Sequence, residues 1–449
     1  MRRWLAGCLV GFMTVMAGCA PREGGAPRPT GQEPPAVAGQ EPQAAQGPAG
    51  AEDPGSPGAP VREEIPGGFR LGPFDESGSA WWLSPDAVWV YAKVGGEARY
   101  GAVSLAGGGL EPGPGHDPED LPYWDRWHLL LSPDAGRAVV YSFHGFDRTF
   151  VDRETGAVSE PQAPNFGGSH MFDSWSPDGS RFLVQSVRTD PVPGFYFLDR
   201  DGNPAGTFAE PGYYGHRGVW SPDGKRLAFL SVPADLFYPR IPEEWEEPPY
   251  GERVGVLDPE TGRVTYFAID GLTFYAHPVW SPDGERLAVV CGERTTVRLD
   301  GPWEGYETTR LRGPRPCLID PEAGTIAPMG DPAEGDVTIV ILGLADEAAL
   351  VAWARPSDGA GYGWVPLGGG ALVDLGGTWS VEGAQLVAGG RAALTGQLLP
   401  NKLVLFNQRG EVERILAEGA IQGLTASPDG RHVAFFDGGY LTVLRVPEE

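Results

Sequence analysis

Along most of this chain apolar and polar residues alternate in short runs, and each run ends in a cluster of turn formers. Arg226, Leu227, Ala228, Phe229 and Leu230 follow Ser221-Pro222-Asp223-Gly224, and comparable runs follow Ser84, Ser132, Ser176, Ser281 and Ser427. Pro sets φ at the second turn position, Asp bonds to nearby backbone, and Gly closes the turn without steric cost. Runs this short, bounded this way, predict strands rather than helices. A second turn is interleaved with the first, at 152–156, 199–203, 258–262, 320–324 and 407–410, with apolar residues on both sides. Each repeat therefore reads as two hairpins, giving four strands, A to D. Trp175, Trp220, Trp280 and Trp379 share one register just before the first turn, with Leu83, Leu131 and Leu344 in the same place, and are expected to pack between adjacent sheets.

Self-similarity at this spacing marks a repeat fold. The Ser position or its counterpart falls at 84, 132, 176, 221, 281, 345, 380 and 427, the marks at 345 and 380 belonging to degenerate units. Eight units of four short antiparallel strands predict an all-β protein, a β-propeller. Seven blades, with one degenerate unit absorbed as an insertion, is the competing count. The last unit has no room for a strand D, and residues 68–74 are expected to supply it from the other end of the chain. Such closure removes an open sheet edge.

The Ser-Pro-Asp-Gly units over residues 67–449 resemble the WD40-like repeat of the TolB family and of the propellers in some prolyl peptidases. The resemblance implies a propeller and leaves activity open, because one frame hosts many functions. The additional α/β domain of TolB has no visible counterpart. No GxSxG nucleophile elbow occurs, which argues against a peptidase.

Residues 1–18 carry Arg2 and Arg3, an apolar run and small residues at its end, a secretory-signal pattern shorter than a membrane span needs. Met16-Ala17-Gly18-Cys19 resembles the bacterial lipobox, which implies that Cys19 is lipidated and ties the chain to a membrane; an ordinary signal cleaved elsewhere is the alternative. Residues 20–66 contain no aromatic residue and little that could form a core. Residues 19–66 are thus expected to be a lipidated, disordered Pro/Gly/Ala-rich tether, with the propeller at 67–449. The expected location is the cell envelope, outside the cytoplasm. A formal charge of −26 argues against nucleic acid, whose phosphates need basic patches.

No P-loop, HExxH or paired CxxC motif is present. Residues 199–203 begin like a calcium loop but sit where other units have a hairpin turn. The departures from the repeat are two insertions between strands B and C, at 233–253 and 293–313. They come from adjacent units and share a face opposite both repeated turns. They carry Phe237, Tyr238, Arg240, Trp245, Tyr250, Trp303, Tyr306 and Arg310, residue types that anchor binding. Capture of an envelope protein or a saccharide is one reading, and a lid over the channel is the other. On the same face His128, His170, His216 and His277 each precede their unit's turn by four to six residues. Converging, they could hold a divalent transition metal, and they resemble the arrangement in some propeller lyases acting on uronic-acid sugars. A metal-dependent polysaccharide lyase or hydrolase is the alternative function; with the histidines packed between blades instead, no cofactor is needed. Cys291 and Cys317 flank the second insertion and are either disulfide-bonded or two buried thiols.

Overall fold

The computed structural model describes residues 60–75, 78–112, 129–141, 148–159, 174–185, 194–233, 251–298, 307–355, 359–376, 383–396 and 399–448. These residues form eight antiparallel sheets arranged as the blades of a propeller. Blade 1 spans 79–112, blade 2 129–159, blade 3 174–209, blade 4 213–267, blade 5 273–328, blade 6 338–376 and blade 7 384–418. Among the described residues the only helical element is a 3-10 turn at Ala388–Gly390, and no helix is long and apolar enough to cross a membrane.

Blade 8 joins the two ends of the chain. Its strands A to C are Gln422–Ala426, His432–Asp437 and Tyr440–Arg445; its fourth strand is β2 (Gly68–Gly72) and a fifth, β1 (Val61–Ile65), lies outside that. Phe69 pairs with Val443 and Leu71 with Leu441, and all four side chains are buried in one core. β1 lies ahead of the boundary at 67. Its composition is largely polar, yet Arg62 stacks on Phe69 with its guanidinium 3.6 Å from the ring centroid. The same guanidinium donates to the Ser104 carbonyl at 2.7 Å and the Leu105 carbonyl at 3.2 Å, so β1 ties blade 8 to blade 1.

The strong cores lie between blades rather than within them. Leu183, Phe195 and Phe197 of blade 3 pack on Trp220, Leu227 and Phe229 of blade 4; Phe274, Trp280 and Val289 of blade 5 pack on Val254 and Val256 of blade 4. Trp175 donates its indole N–H to the Leu130 carbonyl of blade 2 at 3.2 Å, and Trp280 to the Val219 carbonyl of blade 4 at 3.1 Å. The A strands of neighbouring blades touch, as Tyr213–Trp220 touches Thr273–Trp280 and Gln422–Ala426 touches Ser79–Ser84, and so form the inner ring.

Two register expectations are corrected. In blade 1 Trp82 pairs with Val88 and Ser84 with Ala87, which leaves Leu83 as a bulge, and Trp82 takes the place of the blade-contacting tryptophan. In blade 7 strand A is Ala384–Val387, so the turn to strand B is at 388–390 and not at Ser380. Gly389 and Gly390 both have positive φ, 74° and 65°, and supply the reversal; Trp379 and Ser380 lie outside the described residues.

Candidate functional site

The Ser-Pro-Asp-Gly turns are closed to chemistry. In all five turns that run from Ser132, Ser176, Ser221, Ser281 and Ser427, the hydroxyl donates to the motif aspartate at 2.5 to 2.6 Å. Each hydroxyl also accepts the backbone N–H five residues on at 2.9 to 3.0 Å. All five serines are buried. Burial and the bond to the backbone N–H keep such a hydroxyl out of reach of a substrate, and the aspartate beside it serves to fix the turn. The arginine five residues after the serine then reaches the following blade: Arg137 to Asp201, Arg181 to Glu260, Arg226 to the Gly284 carbonyl and Arg286 to Asp346. In the second turn Asp152, Asp199, Asp258 and Asp320 each accept two backbone N–H groups, which confirms 199–203 as a turn.

The opposite face carries the B-to-C and D-to-A connections. The second insertion is a β-arm: strand B of blade 5 runs Leu287–Arg298 and strand C Glu307–Asp320, so the ladder continues well past the blade. Thr in both strands, and Val in the first, favour this extended pairing. Cys291 and Cys317 are bonded at the arm's base, with Sγ–Sγ 1.99 Å and Cα–Cα 5.8 Å, both buried. The ladder shifts register between Cys291 and Glu293, re-aiming the arm. Arg310 forms an ion pair with Asp336, and Leu311 packs against the core shared by blades 5 and 6.

The first insertion leaves blade 4 between Pro233 and Arg253, and a polar cluster fixes both exits. Arg253 lies between the rings of Tyr213 and Tyr266, at 4.0 and 4.1 Å from their centroids, and pairs with Glu210. Its Nε donates to Ser231 Oγ at 3.2 Å, while the Tyr266 hydroxyl donates to Glu210 at 2.6 Å. Burial, reinforced by Glu210, pushes the Tyr266 hydroxyl well above the ordinary tyrosine range.

Inside the ring, blades 4 and 5 carry paired bulges in their A strands. Arg217, at φ 58°, is buried in one, and Ala276, at φ 67°, lies in the other. Gln185 of blade 3 brackets the first bulge, donating to the Gly215 carbonyl at 3.4 Å and accepting the Gly218 N–H at 3.3 Å. The Arg217 guanidinium sits 5.3 Å from the Tyr275 ring centroid. Solvent reaches His277, yet the protein packed around its ring disfavours the charged form and Arg217 repels a second positive charge, so its pKa is pulled down to about 3.

The predicted site residues divide accordingly. Phe237, Tyr238, Arg240, Trp245, Tyr250, Trp303, Tyr306, His128, His170 and Cys19 lie outside the described residues. Arg310 is on the arm. His216 and His277 occupy different positions: His216 is in the ladder opposite Leu230, where blade 5 has Tyr275, and His277 is within the bulge. Among the described residues no three His, Cys, Asp or Glu side chains come together as a metal site. Arg217, Gln185 and the Glu210–Arg253–Tyr266 cluster are additional to the sequence-derived set. Positive φ at a non-glycine residue has no sequence signal, and the cluster joins residues on separate strands.

No family model and no curated protein matches the chain. Among solved structures it is similar to Porphyromonas gingivalis dipeptidyl peptidase 4, at 12% identity and TM-score 0.42, over 69% of this chain and 49% of that one. It is similar to an oligogalacturonate lyase in complex with manganese, at 16% identity and TM-score 0.42, over 72% of this chain and 89% of that one. A prolyl endopeptidase gives 13% identity and TM-score 0.47, over 82% of this chain and 55% of that one. The chain spans about half the length of the two peptidases. Likeness at this level concerns the frame and carries nothing about activity.

Proposed function

We propose that this protein is a binding module that takes a protein or saccharide ligand on the face of the B-to-C and D-to-A connections. One observation carries the reading: a β-arm projects from that face of blade 5, braced by a buried disulfide and the Arg310–Asp336 pair. On the other face the motif serines and aspartates are held in turn bonds and the motif arginines in interblade bonds. Loops held by a rigid frame are where recognition concentrates. The signal and lipobox patterns support a TolB-type propeller lipoprotein, held at the cell envelope by an acylated Cys19 on the 19–66 tether.

The test replaces 293–312 with a short Gly-containing turn, keeping Cys291 and Cys317, and compares both proteins on an array of bacterial glycans and against fractionated envelope proteins. Capture by the intact protein alone, at equal thermal stability, supports the reading. Equal capture by both proteins rejects the face.

A further inference from the structure

Strand A of blade 4 and strand A of blade 8 carry the same bulge. In each, the ladder shifts between the residue five before the motif serine and the residue two before it, at His216/Val219 and at Gln422/Thr425. In each, the residue four before the serine has a left-handed backbone, Gly423 at φ 62° and Arg217 at φ 58°. Glycine takes that conformation without steric cost, and arginine does not. The space a Cβ would fill at Gly423 is open, with no atom within 4 Å, so the bulge keeps its shape without a side chain. Blade 4 instead places a charged side chain on the disfavoured backbone and buries it, Arg217 being 3% exposed. Strain kept in one repeat and avoided in its twin points to a role for the side chain itself.

That side chain crosses to blade 5. Gln185 fixes the backbone of the bulge through Gly215 and Gly218, and the Arg217 guanidinium lies 5.3 Å from the centre of the Tyr275 ring. Blade 5 is bulged at the facing position: Tyr275 pairs with Val290 and Val279 with Ala288, which leaves Ala276, His277 and Pro278 opposite Val289. Ala276 and Pro278 are buried and His277 is exposed, so the extra residues turn the imidazole off the inner strand toward the channel. The Arg217 guanidinium is near enough to repel a proton on that ring. A solvent-facing N–H donor thus stands beside a buried and permanently charged group. Charge held in a protein wall is weakly screened, and on a chain of formal charge −26 it makes a local positive site.

We infer that Arg217 and His277 form an oxyanion site on the channel wall between blades 4 and 5, which takes the carboxylate, phosphate or sulfate group of a small ligand. The His277 N–H bonds the oxyanion, Arg217 supplies the countercharge, and the Tyr275 ring borders the site. A guanidinium carries five N–H groups and can serve a ligand alongside its contacts within the protein. The site lies inside the ring, goes beyond capture at the arm and does not require it.

The experiment is a nuclear magnetic resonance titration of the purified protein, isotope-labelled in its histidine rings, with inorganic phosphate, sulfate and citrate at constant pH and ionic strength. The His277 signal is the one that His277→Gln removes. A saturable shift of that signal is expected with at least one of the three anions, and the anion that responds identifies the group the site takes. Arg217→Gly, which suits the left-handed backbone, is expected to raise the dissociation constant about tenfold, whereas Arg217→Lys keeps the charge and loses about threefold. Arg217→Gln keeps the backbone and most of the bulk, is expected to match the glycine variant, and decides the matter alone if that variant does not fold. A wild type with no saturable response to any of the three, or a response unchanged when the Arg217 charge is removed, overturns the inference. Either result leaves the reading of the arm standing.

Discussion

Ser221 donates its hydroxyl proton to Asp223 at 2.6 Å while accepting the Arg226 N–H at 2.9 Å. The serine and aspartate that most resemble catalytic machinery are thus the two ends of a closed local bond. Ser221→Ala leaves a buried amide and a carboxylate without their partner and is expected to cost about 1–2 kcal/mol in stability. Urea unfolding checks the loss, and ligand capture should be unchanged. Capture that falls without a loss of stability would contradict a structural role.

The same turns set an acid limit. At Asp134, Asp178, Asp223 and Asp429 burial opposes ionisation, but bonds from serine hydroxyls and backbone N–H groups outweigh it; at Asp283 the Ser281 bond dominates. All five carboxyls lie below the ordinary aspartate value. The folded state therefore holds fewer protons than the unfolded one between those depressed values and about pH 4. Their contribution is fully present above pH 4 and is lost as pH falls through the folded values. His277 acts over a higher window: the unfolded chain takes up a proton below about 6.5, the folded ring only near 3, so stability declines from about 6.5 downward. Urea midpoints measured from pH 7 to 4 should slope less steeply in His277→Gln, and an unchanged slope would count against the depressed His277 pKa.

Bonding of Cys291 to Cys317 closes a loop with a sequence separation of 26. Cys291→Ala together with Cys317→Ala is expected to lower stability by about 3 kcal/mol on the chain-entropy model. Hydrogen exchange should also accelerate in 293–298 and 307–313 before it does in blade 1. Uniform acceleration through all blades would show that the bond braces the ring and not the arm.

Closure by the N-terminal strand gives a sharp contrast between two neighbours. Leu71 is fully buried between blades 8 and 1, and Leu71→Ala should cost about 2–5 kcal/mol and expose Tyr440–Arg445 to exchange. Val61 on β1 is 68% exposed, and Val61→Ala should fall within about 0.5 kcal/mol of wild type. Equal effects at the two positions would contradict closure through β2.

What could be read in advance follows from how local each determinant is. Ser-Pro-Asp-Gly and the Asp-led second turn specify their conformation within about six residues, so blades 2 to 5, the eight-unit count and the closing strand were legible. Where the turn chemistry is carried by backbone alone, as at Gly389 and Gly390, the register was misplaced by several residues. β1 escaped notice because the three central residues of Val61–Ile65 are charged, and only the fold reveals that Arg62 reaches Phe69 and Ser104. The arm was expected as a loop, although the Thr-rich stretches 293–298 and 307–312 already have strand-forming composition. Arg217 and the Glu210–Arg253 pair depend on backbone bulges and contacts between separate strands, which no local pattern encodes.

The central claim is that ligand is engaged on the arm face and not on the face of the Ser-Pro-Asp-Gly turns. Arg294 and Lys225 are exposed on these opposite faces. A photo-cross-linking residue placed at each position in turn, followed by irradiation in envelope extract, tests it most directly. Adducts larger than a dimer of this chain should form from position 294 and be absent from position 225. Such adducts from position 225 alone, or the same adducts from both positions, would contradict the account.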